Sequence, residues 1–315
     1  MLFRSPRDFP PEQDDLLNQA VEYRIRSLRL VEELLRQDPS NYDLQFSRLT
    51  GEHWLAGLWG QLSDDRFESM GRKALNHADE LLRKRPGSLD LLEIKLGIQY
   101  NFANNLRASN PDQSQQQLER INQTVSAHLR DFTETWSVHL YGLQALVERA
   151  EILLSLHRFE ESELVLEQFS QSFNRAKKLF PNEWPVHNLY RLNLQIRCAL
   201  DIAMKRYDSA FEVVQELEQF IGKEGLDLEN LKTHPLSIDE GDLLKLVFFR
   251  WIISNQLFQK ESHERQRSEQ ELSELLGSCI TKPSVFDRVS KELKKLDLEV
   301  EFLNRASKHS PDGVE

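Results

Sequence analysis

Along most of the chain apolar residues recur every three or four positions rather than every second one. From residue 143 the series runs Leu143, Leu146, Val147, Ala150, Leu153 and Leu154, the spacing that lines one face of an α-helix. A second series follows at Leu164, Leu166, Phe169, Phe173, Ala176 and Leu179. Extended along the chain, the pattern predicts helices over 12–37, 41–62, 64–85, 88–107, 113–131, 134–157, 159–180, 184–204, 206–223, 239–260, 263–278 and 283–306. Pro39, Pro86 and Pro181 stand where helices must stop, because proline brings no N–H to a continuing ladder. Ser40, Ser88 and Thr133 sit close before helix starts and are expected to cap them.

The pattern repeats. Val31-Glu-Glu-Leu-Leu-Arg-Gln-Asp-Pro39 returns as Ala78-Asp-Glu-Leu-Leu-Arg-Lys-Arg-Pro86, 47 residues on. Trp136, Val138 and His139 return as Trp184, Val186 and His187, at a spacing of 48. A third motif recurs at Arg66-Phe67-Glu68-Ser69, Arg158-Phe159-Glu160-Glu161 and Arg206-Tyr207-Asp208-Ser209. The period of 47–48 residues holds two helices, so the expected fold is all-α. It is an α-solenoid of antiparallel hairpins, five pairs with one unpaired helix at each end, in which each unit buries its face only against its neighbours. The expected order is a tail over 1–11, repeats over 12–223, a loop over 224–238, a less regular C-terminal hairpin with a capping helix over 239–306, and a tail over 307–315.

Composition agrees with this picture. Twelve Gly and 11 Pro leave little turn chemistry for a β-rich fold, and 39% hydrophobic residues are lean for one large core but natural for a stack. The net charge of −11 argues against nucleic acid or an anionic membrane as the main partner. Cys198 and Cys279 form no metal-ligand spacing and no disulfide framework. Arg4, Arg7 and Asp8 interrupt any signal peptide, and Lys245 and Arg250 interrupt the most apolar run. The expectation is a soluble protein of a reducing compartment, the cytoplasm.

Aligned by the period, Ala56, Ala103, Ala150 and Cys198 fall in register in the first helix of each unit. Phe159 and Tyr207 follow at the turn, small Ser162 and Ala210 come early in the second helix, and proline closes it. In this order the chain, over about residues 30–221, resembles the tetratricopeptide repeat. The period exceeds that family's usual 34 or so and falls in the range of HEAT and armadillo units, the competing fold. With junctions such as Leu30-Val-Glu-Glu-Leu-Leu-Arg-Gln-Asp-Pro-Ser-Asn-Tyr-Asp-Leu44, the array is similar to those that follow kinase domains in some bacterial serine/threonine protein kinases. The chain itself holds no Gly-rich phosphate loop, no His-Arg-Asp catalytic loop and no Asp-Phe-Gly, so this likeness implies a non-catalytic, regulatory region.

The resemblance implies a peptide site on the inner face of the first helices, where Lys and Asn hold a C-terminal carboxylate. Three residues before the aligned small position stand His53, Tyr100, Val147 and Gln195; one residue after it stand Gly57, Asn104, Glu151 and Ala199. None of the first set is lysine, so a carboxylate clamp is not expected. Tyr100, Asn101, Asn104, Asn105 and Arg107 form either a polar and aromatic face able to hydrogen-bond an extended peptide or an ordinary solvated one. No HExxH, GxSxG or P-loop occurs, and Asp64-Asp65 and Glu160-Glu161 fall in turns or on exposed faces, so neither catalysis nor a cofactor is expected. His139 and His187 occupy one register position and are expected to be structural, with no metal; Trp136 and Trp184 are expected to pack at helix entrances. Leu246, Val247, Phe248, Phe249, Trp251, Ile252 and Ile253 form either a buried helix or a docking surface. Phe286, Val289, Leu293, Leu296, Val300 and Leu303 form an a/d seam that either caps the last hairpin or makes a homodimer. The expected function is a non-catalytic scaffold that binds a protein or peptide in a concave groove. The alternatives are a kinase-associated regulatory region and an oligomerising structural protein.

Overall fold

The computed structural model describes residues 11–181, 184–223, 240–259, 262–280 and 290. Among them are eleven helices: α1 Pro11–Gln37, α2 Tyr42–Gln61, α3 Arg66–Lys84, α4 Leu89–Leu106, α5 Pro111–His128, α6 Trp136–Ser155, α7 Phe159–Leu179, α8 Trp184–Ala203, α9 Tyr207–Lys223, α10 Glu240–Leu257 and α11 His263–Ile280. The described residues contain no strand. Each end lies within about three residues of its expected place, since the apolar period and proline stops act within a turn or two. The loop expected over 224–238 lies outside the described residues, as does the seam from Phe286 to Leu303. Within that seam Ser290 alone is described; it is helical and buried.

The expected serine and threonine caps are corrected. Asn41, not Ser40, caps α2: its side chain accepts from the Leu44 N–H at 3.2 Å, while the Ser40 hydroxyl turns to Asp38. Ser88 holds the capping position of α4 but makes no capping bond. Thr133 is too far from α6 to cap it and donates back to the Leu129 carbonyl at 2.7 Å, closing the end of α5.

Three of the hairpin turns are built alike. Ser63, His157 and Lys205 have φ of 54°, 57° and 60°, the left-handed conformation. After each, the next N–H reaches back five residues, Asp64 to Trp59, Arg158 to Leu153 and Arg206 to Asp201, at 2.9, 2.9 and 2.8 Å. This double closure satisfies the carbonyls a helix end leaves open, and it recurs at the repeat period although none of the three residues is glycine. The turn from α4 to α5 differs: Asn110 caps α5 by accepting from the Gln113 N–H, and Pro111 takes the first helical position. Inside two pairs a serine of the second helix donates to the carbonyl of the small register residue in the first: Ser114 to Ala103 at 2.7 Å and Ser162 to Ala150 at 2.9 Å.

The chain divides into two compact units at Ala145 and Leu146, inside α6. In the first, each helix from α1 to α5 packs on the next, and α2 also meets α4. Val21 and Leu28 of α1 bury against Leu55 and Trp59 of α2, with Phe67 and Met70 of α3 at the edge of the same cluster. In the second, α7 to α11 again pack in sequence. The apolar run of α10 is core: Leu246, Val247, Phe248, Phe249, Ile252 and Ile253 are buried, and the Trp251 indole donates to Glu269 at 2.5 Å. Arg250 bridges Glu218 of α9 and Glu271 of α11.

Candidate functional site

The residues singled out on α4 lie in the first unit, where α4 meets α2. Glycine makes that approach close. A Cβ on Gly60 of α2 would stand 1.9 Å from the Asn105 amide nitrogen, and one on Gly57 would stand 3.6 Å from that of Asn101. Asn101 and Asn105, one helical turn apart, therefore form a row of amides laid against α2. Tyr100 turns elsewhere and meets Tyr141 of α6 edge-on, ring centroids 6.3 Å apart. Gly97 sits between two further groups: a Cβ there would lie 3.3 Å from the Tyr141 hydroxyl and 3.5 Å from the His53 ring. Asn104, one turn after Tyr100, is half-buried, and Arg107 is at the C-cap of α4. The five residues thus do not form one patch. Asn101 and Asn105 face α2, Tyr100 faces α6, and Arg107 closes the helix.

The imidazole and phenol on either side of Gly97 are themselves uncharged. Burial lowers His53 from 6.5 to about 4, so its imidazole is uncharged at neutral pH, and its Nδ1 is buried with no hydrogen-bond partner. Burial, and then the charge of Glu93, push the Tyr141 phenol above its ordinary range; Glu93 itself accepts from the Ser137 hydroxyl. Imidazole, phenols and amides offer donors and acceptors without ionic cost, the chemistry that suits a peptide backbone.

A second cluster lies between α2 and α3. The Glu52 carboxylate is fully buried, yet it meets three basic side chains: Arg48 Nε at 3.1 Å, Lys73 Nζ at 3.1 Å and His77 Nδ1 at 2.5 Å. Arg48 also reaches His77 Nε2 at 2.9 Å. Arginine only donates, so Nε2 accepts, and the ring proton sits on Nδ1 and is donated to Glu52. Burial alone would raise the Glu52 carboxyl, but His77 and Lys73 outweigh it and hold it below its ordinary value. Both ring nitrogens of His77 are engaged, and its Nδ1–H fixes the position of the Glu52 carboxylate. Arg48 and His77 line a cleft of about 400 Å³ with Glu32, Arg36, Glu80 and Lys84.

Sequence reasoning passed over this cluster. The available signal was Glu52 itself, a charge inside the stripe Leu49, Leu55, Ala56 and Trp59. Two of the three groups that cover that charge, Lys73 and His77, come from α3 and are invisible in the period of α2.

The remaining candidates are structural where they are described. His139 is buried and its Nε2 donates to the Thr133 carbonyl at 2.9 Å, which ties the start of α6 to the loop before it. The side chains of Trp184 and His187 lie outside the described residues. Gln195, at the position where a clamp lysine would stand, is buried and accepts from Lys245 of α10 at 3.1 Å. Burial holds the Cys198 thiol well above its ordinary value, with Asp201 adding to the shift. Among the described residues no group of three or more His, Cys, Asp or Glu is placed to hold a metal ion, and no helix is long and apolar enough to cross a membrane.

Neither protein-family models nor curated proteins give a match to this chain.

Proposed function

We propose that this chain is a non-catalytic helical-repeat scaffold that binds a protein or peptide segment along the first helices of its first unit, and that its repeats are of the tetratricopeptide type. The observation that carries the reading is the polar and aromatic group made by His53, Tyr100 and Tyr141 around Gly97. It lies on the first helices, where the resemblance puts peptide binding, and glycines 57, 60 and 97 bring the helices close enough to share it. The repeat type is supported by the small residues in register and by the serine hydroxyls that close two pairs over them. A cytoplasmic setting is in keeping with the buried, free Cys198 thiol.

The test is selection from a displayed library of extended peptides, on the intact chain and on a Tyr100→Ala variant shown by circular dichroism to be folded. Peptides that bind the first and lose at least tenfold affinity for the second support the proposal. Equal recovery by both moves the interaction away from this face and ends this reading of it.

A further inference from the structure

α1 has two apolar faces, and the first unit covers one. Val21 and Leu28 are buried against α2. On the other side Leu16, Tyr23, Leu30 and Leu34 are 63%, 74%, 62% and 48% exposed, a stripe nearly as long as the helix. Scattered single apolar residues on a surface are ordinary; a continuous row at helical spacing is not.

The repeat says what belongs there. The end of α1 matches the end of α3 at a spacing of 47, so α1 is in register with the second helix of a pair. Moved by that spacing, Tyr23, Arg26, Leu30 and Leu34 become Met70, Lys73, His77 and Leu81. All four of these are engaged within the first unit, mainly by α2 and in part by α1, whose Glu32 also reaches Lys73 at 3.6 Å. Met70 packs on the cluster of Leu55 and Trp59, Lys73 and His77 bind Glu52, and Leu81, which lines the cleft with Arg48, is only 5% exposed. The stripe on α1 is therefore the face that a first helix covers in the next unit, and among the described residues no helix covers it on α1. Its charge is defined as well. Arg26 holds the place of Lys73 and pairs with exposed Glu22 at 3.5 Å.

We propose that the outer face of α1 docks an amphipathic helix of a partner protein. That helix has an apolar row for Leu16, Tyr23, Leu30 and Leu34 and a carboxylate opposite Arg26, as Glu52 stands opposite Lys73. The docking face is separate from the face on α4 and does not depend on it.

The probes are two designed 21-residue helical peptides with the same leucine row, one flanked by glutamates and the other by lysines, titrated against the full chain by fluorescence anisotropy. Preference for the glutamate peptide is expected. Leu30→Glu should weaken it at least tenfold, and Arg26→Glu should turn the preference toward the lysine peptide. Both side chains are exposed, so the fold should survive. If circular dichroism shows that Leu30→Glu has not folded, Leu30→Ser takes its place. No binding of either peptide, equal binding of both, or affinity untouched by these substitutions overturns the proposal. Concentration-dependent dimers in light scattering that vanish with Leu30→Glu overturn it too, by making a second copy the occupant.

Discussion

Glu52 in α2 and Gln99 in α4 occupy the same register position, 47 residues apart, in neighbouring pairs built on one plan. Glu52 is 0% exposed and held by Arg48, Lys73 and His77; Gln99 is 6% exposed and its Oε1 has no partner. A carboxylate taken out of water needs opposite charge and hydrogen bonds at close range, whereas a neutral amide is buried at smaller cost. The pair α2 and α3 supplies those partners and keeps the charge; at Gln99 the charge is gone. The turns of the two pairs divide the same way. One closes on Ser63 in the left-handed conformation, the other on the side-chain cap of Asn110.

Removing a partner from Glu52 should break the contrast most strongly. His77→Leu leaves a buried carboxylate short of its 2.5 Å donor and is expected to cost about 3 kcal/mol in urea unfolding. Gln99→Met, which deletes an unpartnered oxygen, should change stability by less than about 1 kcal/mol. Equal effects at the two positions would remove the distinction between them.

Acid should separate the two pairs next. His53 and Tyr100 share a register position, and His53 carries the titratable imidazole. Its folded value of about 4 lies below the ordinary 6.5, so between these limits the unfolded chain binds a proton that the folded chain refuses. The contribution is complete above pH 6.5 and is lost as the pH falls toward 4. By about pH 5 the loss is roughly 2 kcal/mol, and His53→Asn should abolish it in denaturant unfolding followed against pH. Glu52, whose carboxyl lies below its ordinary 4.5, adds its own loss only in stronger acid, so a slope that survives in His53→Asn above pH 5 would contradict the assignment.

The smallest difference lies in the turns. Ser63→Gly is expected to raise stability by about 1 kcal/mol, because only glycine takes a left-handed φ without strain. Asn110→Ala should lower it by about the same amount through the lost cap, and Asn110→Gly by much less. Thermal unfolding of these variants reads both signs; a stabilised Asn110→Ala or a destabilised Ser63→Gly would show that the two turns are not distinct devices.

Legibility followed distance along the chain. Leu143 to Leu154, Pro39, Pro86 and Pro181 announced helices and their ends because a helical bond spans four residues and a proline acts on its own turn. Caps failed at the same scale for a finer reason. Ser40, Asn41 and Asp38 compete for one position, and only the folded geometry selects Asn41. On α4, Tyr100, Asn101, Asn104 and Arg107 were identified as polar and aromatic residues of one segment. Their division between α2 and Tyr141 depends on glycines 57, 60 and 97, whose sequence context carries no mark of it.

The sequence by itself determined an all-α chain, its period of 47–48 residues and the small residues in register, since each rests on local hydrogen bonding or on the width of one helix face. Tertiary structure alone decided that Glu52 meets His77 across 25 residues, that Tyr100 meets Tyr141 across 41, and that the stripe of α1 is left open. The physical reason is that a buried charge, a shared aromatic edge and an uncovered face are properties of two helices brought within about 10 Å of each other. A hydrophobic period reports on only one helix at a time.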